Sequence, residues 1–215
     1  MTLFDADAMH RLAKLALDAG EVTTPDAALA LFRQYRLRIH LGTGWAKTLA
    51  GQACVVTAIS TASRAVLGGV EVTGDLTPVM QVPLFAGQPS LMIGDGPPPE
   101  GVALTLRPSW DGWCAQVAPA DSDDHLTVGD DNPLAGVCAG ALAVSEVFSH
   151  VRGDSPEAGY RRIGLSLWNP LAIEDWHAPE NRGPALAYLP TDLWLIGLGH
   201  LGQATAPVGK AAIAC

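Results

Sequence analysis

The chain has 215 residues and a mass of 22.4 kDa, with 48% hydrophobic and 16% charged residues, which supports a substantial core and excludes a disordered chain. Lys and Arg number 13 against 22 Asp and Glu, a formal net charge of -9, which argues against the basic patch that a nucleic-acid partner needs. Cys54, Cys114, Cys138 and Cys215 stand far apart, with no C-x-x-C pair and no histidine at ligand spacing, so buried thiols are expected rather than a disulfide framework or a structural metal.

The N-terminal Met-Thr-Leu-Phe-Asp-Ala-Asp has neither the basic start nor the apolar run of a signal peptide, and a cytoplasmic chain is expected. Met9, Leu12, Leu15 and Ala16 recur at helical spacing and predict a helix from about 5 to 19, stopped at Gly20. Thr24-Pro25-Asp26 opens a second helix: Thr caps, Pro takes the first turn and Asp complements the dipole. This pair is expected to cap the rest of the molecule or to form an oligomer contact.

Beyond the helical pair the pattern changes to short apolar runs separated by Gly and Pro. Strands are expected at Leu37 to Leu41, Ala53 to Ile59, Val70 to Thr73, Ser90 to Ile93, Val102 to Leu106 and Trp113 to Val117. Gly94 to Pro99 reads as a turn-rich loop. Leu41-Gly-Thr-Gly-Trp-Ala-Lys47 places glycines after a strand. Its third fingerprint position is Lys47, and Ala46 stands where a P-loop has glycine, so a plain turn is expected. Asp121, Asp123, Asp124, Asp130 and Asp131 form an acidic stretch whose spacing fits no calcium loop, and it reads as solvated.

The run from Asn132 to Phe148 predicts a buried helix. Asn132 caps it, Pro133 fills the first turn, and Gly136, Gly140 and Ala143 share a face that admits another backbone. It reads as too short to span a bilayer, with Ser145 and Glu146 as polar groups near its end. Gly164 to Trp168 is another expected strand. Glu174-Asp175-Trp176-His177 reads as a surface loop, since nothing there fixes the geometry that acid–base chemistry requires. Leu186 to Leu189 is a short strand or an extended approach, ended by Pro190.

The most informative stretch is Asp192-Leu-Trp-Leu-Ile-Gly-Leu-Gly-His-Leu-Gly202. Leu193 to Ile196 is an apolar run of the kind buried on both faces of a parallel sheet. Gly197, Gly199 and Gly202 then spell G-x-G-x-x-G: one glycine turns the chain, one admits a phosphate, and one lets the next helix pack closely. The helix N-terminus beyond offers unpaired N–H groups to an anion. A dinucleotide site also needs a crossover helix, a second strand and an acid ~20 residues on, which Gln203 to Cys215 do not accommodate, and Pro207 falls in the second turn of the helix.

Together, Asn132-Pro-Leu-Ala-Gly…Ala-Leu-Ala-Val-Ser-Glu-Val-Phe148 and Leu195-Ile-Gly-Leu-Gly-His-Leu-Gly-Gln203 resemble the ThiF/E1-like adenylyltransferase family, over about a quarter of the chain. The resemblance implies ATP-dependent acyl-adenylate chemistry for a complete relative. The Arg, Lys and Asp residues that handle ATP and magnesium lie beyond the glycine loop in that family, so no catalytic residue and no metal ligand are carried over.

The expected fold is α/β, a mainly parallel Rossmann-like sheet with flanking helices and an incomplete C-terminal nucleotide-binding unit. The expected division is a helical pair at 1–35, a degenerate Rossmann-like domain at 36–190 and the start of a truncated nucleotide-binding unit at 191–215. The expected function is ThiF-like nucleotide binding without complete catalysis, with weak ATP binding at Gly197, Gly199 and Gly202. The alternatives are an NAD(P)-binding oxidoreductase fragment and a non-catalytic interaction module. A nucleotide and a protein or homo-oligomer are the partners expected; a nucleic acid and a membrane are not.

Overall fold

The structure is a computed structural model that describes residues 6–74, 87–127 and 131–188. Helix α1 spans Ala6–Asp18 and α2 spans Pro25–Phe32; the Thr24 side chain accepts from the Ala27 N–H at 3.2 Å, the cap its sequence predicts. The strands are β1 Leu37–Leu41, β2 Val70–Gly74, β3 Ser90–Ile93, β4 Thr105–Asp111, β5 Cys114–Pro119 and β6 Ile163–Ser166. Helix α3 spans Leu49–Ala65 and α4 spans Pro133–Arg152.

The sheet order is β2-β1-β3-β4-β5-β6. The pairs β1–β2, β1–β3 and β3–β4 are parallel, whereas β4–β5 and β5–β6 are antiparallel. This is the expected α/β sheet, mostly parallel with flanking helices and an antiparallel side. The chain leaves β1 through α3 to reach β2, then returns to β3 on the other side of β1. That reversal makes the C-terminal ends of β1 and β3 the switch point, where ligands of such sheets sit.

One expected strand is overturned. Ala53 to Ile59, expected as a strand among the short apolar runs, lies inside α3. Thr48 caps that helix by accepting from the Gly51 N–H at 3.0 Å, and Ala50, Cys54, Ala58 and Ala62 are buried at four-residue spacing. The cap and the small residues prevail over β-branched propensity. The strand expected at Val102 to Leu106 sits later, at Thr105–Asp111, closing a hairpin with β5 through Gly112.

Helices α3 and α4 lie side by side on one face of the sheet. Their contact is as close as the glycines predict. A Cβ on Gly140 would stand 2.6 Å from the Cys54 carbonyl oxygen, and one on Gly136 would collide with that of Ala50. Helix α4 runs four residues past the expected end, to Arg152, with Gly153 at a left-handed φ of 73° closing it. At that length it is long and apolar enough to cross a membrane, which corrects the reading of it as too short; here it packs on α3, β4 and β5. Glu146 is not a helix-end group either. It is buried, accepts from the Gly159 N–H at 3.0 Å and pairs with Arg161 at 3.0 Å.

The core joins α1, α2, α3 and α4 to the apolar side of the strands in one cluster that includes Phe32, Leu37, Ile39, Leu91, Leu106, Val117 and Val144. Phe32 stacks on Phe148 at 6.0 Å, which ties α2 to α4.

Candidate functional site

Residue alternation gives the sheet two chemically different faces. Leu37, Ile39 and Leu41 of β1, Leu91 and Ile93 of β3, and Leu106 of β4 are in register on the side of α3 and α4. The opposite register carries Glu71 and Thr73, Arg38 and His40, Ser90 and Met92, Arg107, Ser109 and Asp111, and Gln116. Arg38, Glu71, Ser90, Ser109, Asp111 and Gln116 are nonetheless buried. Most polar groups at such depth are paired. The Arg38 Nε donates to Glu71 at 3.0 Å, and Arg182 pairs with Asp111 at 2.8 Å. The Leu126 N–H donates to Ser109, and Gln116 donates to the Asp124 carbonyl. His40 lies 3.1 Å from Thr73 Oγ1.

The histidines on this side are held toward the neutral form. Burial lowers the pKa of His40, with Arg38 adding repulsion; burial and then Arg107 lower that of His125. Burial raises the Cys54 and Cys114 thiols and puts Cys138 at about 11, so these three free cysteines lack nucleophilic character.

The switch point is where a nucleotide-binding sheet would hold phosphate, and here it is closed twice. First, the Asp131 carboxylate sits at the N-terminus of α3 and accepts from the Leu49 N–H at 2.8 Å and the Ala50 N–H at 2.7 Å. With Thr48 on Gly51, the N–H groups that would receive an anion are taken by the chain's own side chains. Asp131 is exposed, as the solvated reading of its stretch expects, and it also caps α3 from 81 residues away. Second, the crevice between the ends of β1 and β3 is spanned by a bridge in which Thr43 and Asp95 exchange N–H···O bonds of 2.8 Å. Backbone packs so closely there that a Cβ on Gly94 would lie 2.7 Å from the Thr43 carbonyl oxygen. Arg107 braces this loop by donating to the carbonyls of Gly94 and Gly96 at 3.3 and 2.7 Å. The β1–α3 turn does not fit a nucleotide phosphate.

A further polar network pins the segment after β6 to the β4–β5 turn. Ser166 donates to the Asn181 carbonyl at 2.6 Å and accepts from the Trp168 and Asn169 N–H groups. Cys114 Sγ donates to the Trp176 carbonyl at 3.2 Å, and the Trp113 indole N–H donates to that of Pro184 at 2.8 Å. Trp176, expected on a surface loop, is buried; Glu174 and Asp175 are exposed, as that reading requires.

Gly197, Gly199 and Gly202 lie outside the described residues, as does Cys215. Among the described residues, no group of three His, Cys, Asp or Glu side chains is placed to hold a metal ion. The signal that sequence reading missed is long-range. Asp131 and Asp95 act through contacts 81 and 52 positions away on α3 and β1's turn, which no local spacing encodes.

A family model described as the BilD N-terminal domain matches residues 36–89 and 85–167. The bacterial E1-like protein BilD of Collimonas sp. (strain OK412) is 36% identical over 223 residues, an alignment that takes in 94% of this chain and 48% of that protein. The chain spans about half the length of the curated relative it matches.

Proposed function

The chain belongs to the BilD N-terminal domain family of bacterial E1-like proteins, and from that premise we propose that its α/β unit is a scaffold that does not itself hold nucleotide. ATP phosphates are assigned instead to the ThiF-like loop at Gly197, Gly199 and Gly202, with weak binding through backbone N–H groups. The observation that carries this reading is the Asp131 carboxylate on Leu49 and Ala50, which occupies the seat a phosphate would take at α3.

ATP, when bound in an E1-like protein, supplies the adenylyl group for an acyl adenylate. The residues of this chain contribute a folded platform, a braced switch-point loop and the glycine backbone that comes after it. The high thiol pKa of Cys138 and the burial of Cys54 and Cys114 suit a reducing cytoplasm, where no disulfide is needed. Besides nucleotide, a protein partner or a second copy is proposed as the other ligand of the molecule.

Calorimetric titration with Mg-ATP tests the assignment. Weak binding is expected for the wild-type chain, lost in Gly199→Val because a side chain there blocks approach of a phosphate. ATP–pyrophosphate exchange by the chain alone is expected to be absent. Binding that survives Gly199→Val unchanged, or robust exchange, would overturn the proposal.

A further inference from the structure

A groove of about 340 Å³ opens at the end of the sheet opposite the switch point, where β4 begins and β5 ends. Pro98, Pro99, Pro119 and Leu104 supply apolar wall, and Tyr160 and Asp121 belong to the same lining. The surroundings are stiff. Each proline ring fixes its own φ, and the Ala120 N–H donates to the Thr105 carbonyl at 2.9 Å, tying the two strand ends together. Tyr160 is clamped from both sides. Glu146, buried in α4, accepts from the Gly159 N–H and from Arg161 Nε, each at 3.0 Å. His150 bonds the Ala158 carbonyl at 2.9 Å, and its ring meets that of Tyr160 edge-on at 5.4 Å. The Tyr160 ring is thus held in place while 65% exposed, which lowers the ordering cost of docking against it.

Charge selects the occupant. Asp121 is the one charged residue of the lining. It is exposed and has no ion pair among the described residues, whereas Asp124 reaches Arg162 at 3.8 Å. Glu100 and Asp123, close along the chain to Pro99 and Asp121, add negative charge. An anionic occupant would meet like charge, and a purely apolar one would strip water from the Asp121 carboxylate with nothing in return. A cation on an aliphatic stem suits both parts of the lining. The stem lies along the proline rings and Leu104, and the head reaches Asp121 and the Tyr160 ring. Pro98, Asp121 and Tyr160 are too exposed to enclose a free small molecule, which a dedicated site buries almost entirely. A side chain projecting from another protein needs no such enclosure. We propose that this groove receives a lysine or arginine side chain from a basic segment of a protein partner. The net charge of -9 favours encounter with such a segment. The inference does not depend on where nucleotide binds.

The test is an amide chemical-shift titration of the full 215-residue chain with the peptide acetyl-Gly-Lys-Gly-Lys-Gly-amide. Saturable shifts are expected at 102–105, 120–121 and 159–161, and none there with the peptide in which glutamate replaces lysine. Asp121→Asn/Tyr160→Ala is expected to bind at least ~10-fold more weakly, having lost both the ion pair and the ring. Asp121→Lys leaves Tyr160 in place and is expected to abolish binding, which keeps the test decisive where the double variant folds poorly. Glu174→Gln, at an exposed acid on the loop after β6, is expected to bind as wild type. Unchanged affinity in Asp121→Lys overturns the proposal, as does the absence of shifts at millimolar peptide. Shifts spread over the acidic surface and missing from the groove overturn it too. Equal affinity for free butylamine assigns the groove to small amines and overturns the protein partner. None of these outcomes bears on the nucleotide reading, which the Gly199→Val titration judges separately.

Discussion

Asp131 illustrates how one side chain can decide what a fold is able to do. A helix N-terminus at a switch point attracts anions in general, and here the anion is built in. Asp131→Ala should therefore cost about 1–2 kcal/mol, the usual penalty of a lost cap, read as a lower urea midpoint with unchanged slope. Asp131→Asn keeps an acceptor and should cost less. His40 and His125 give a pH signature. Their folded pKa values lie below the ordinary 6.5, so the unfolded chain binds protons first as pH falls. Stability contributed by the neutral rings is present above about 6.5 and declines as pH drops from there toward the folded values. The double variant His40→Gln/His125→Gln should show a flatter thermal midpoint between neutral and mildly acidic pH than the wild type; an equally steep decline would assign the acid sensitivity to other groups. None of these roles was legible from spacing, because each depends on a partner brought in by the sheet.

Helices α2 and α4 were legible because their signals are local. Thr24-Pro25 and Asn132-Pro133 specify starts, and small residues at four-residue spacing specify a close face. The contact at Gly136 and Gly140 predicts that Gly140→Ala destabilises by about 1–3 kcal/mol, since the new methyl meets backbone of α3 that cannot turn aside. On an exposed helix face the same change would stabilise by roughly 0.5–1 kcal/mol, so the sign of the shift in denaturant midpoint tests the packing. Helix α3 was misread for a reason of the same kind. Val55-Val56-Thr57 is a strand-like triplet, but Thr48 and four buried small residues set a period that the triplet alone conceals. Only Val55 of the two valines turns inward, whereas Val56 is half exposed.

At the scale of the whole molecule, the α/β class and its mainly parallel sheet were legible from short runs between turns, but the burial of the sheet's polar face was not. Strands such as Leu-Arg-Ile-His-Leu and Val-Glu-Val-Thr-Gly alternate, which in isolation suggests a solvated face. In the fold much of that face is buried and carries pairs such as Arg38–Glu71, a cross-strand match visible only once β1 and β2 are in register. The glycine motif at 197–202 lies far along the sequence, while β1, α3 and β3 form a switch point of their own, closed by Asp131 and the Thr43–Asp95 bridge. That closure is the centre of the account, and amide hydrogen exchange of the wild-type chain with and without saturating Mg-ATP tests it most directly. The account predicts unchanged exchange at Leu49, Ala50 and Gly51 and slowed exchange within 197–202. Slowing at Leu49 to Gly51 with none at 197–202 would show that nucleotide displaces Asp131 and binds at the first switch point after all.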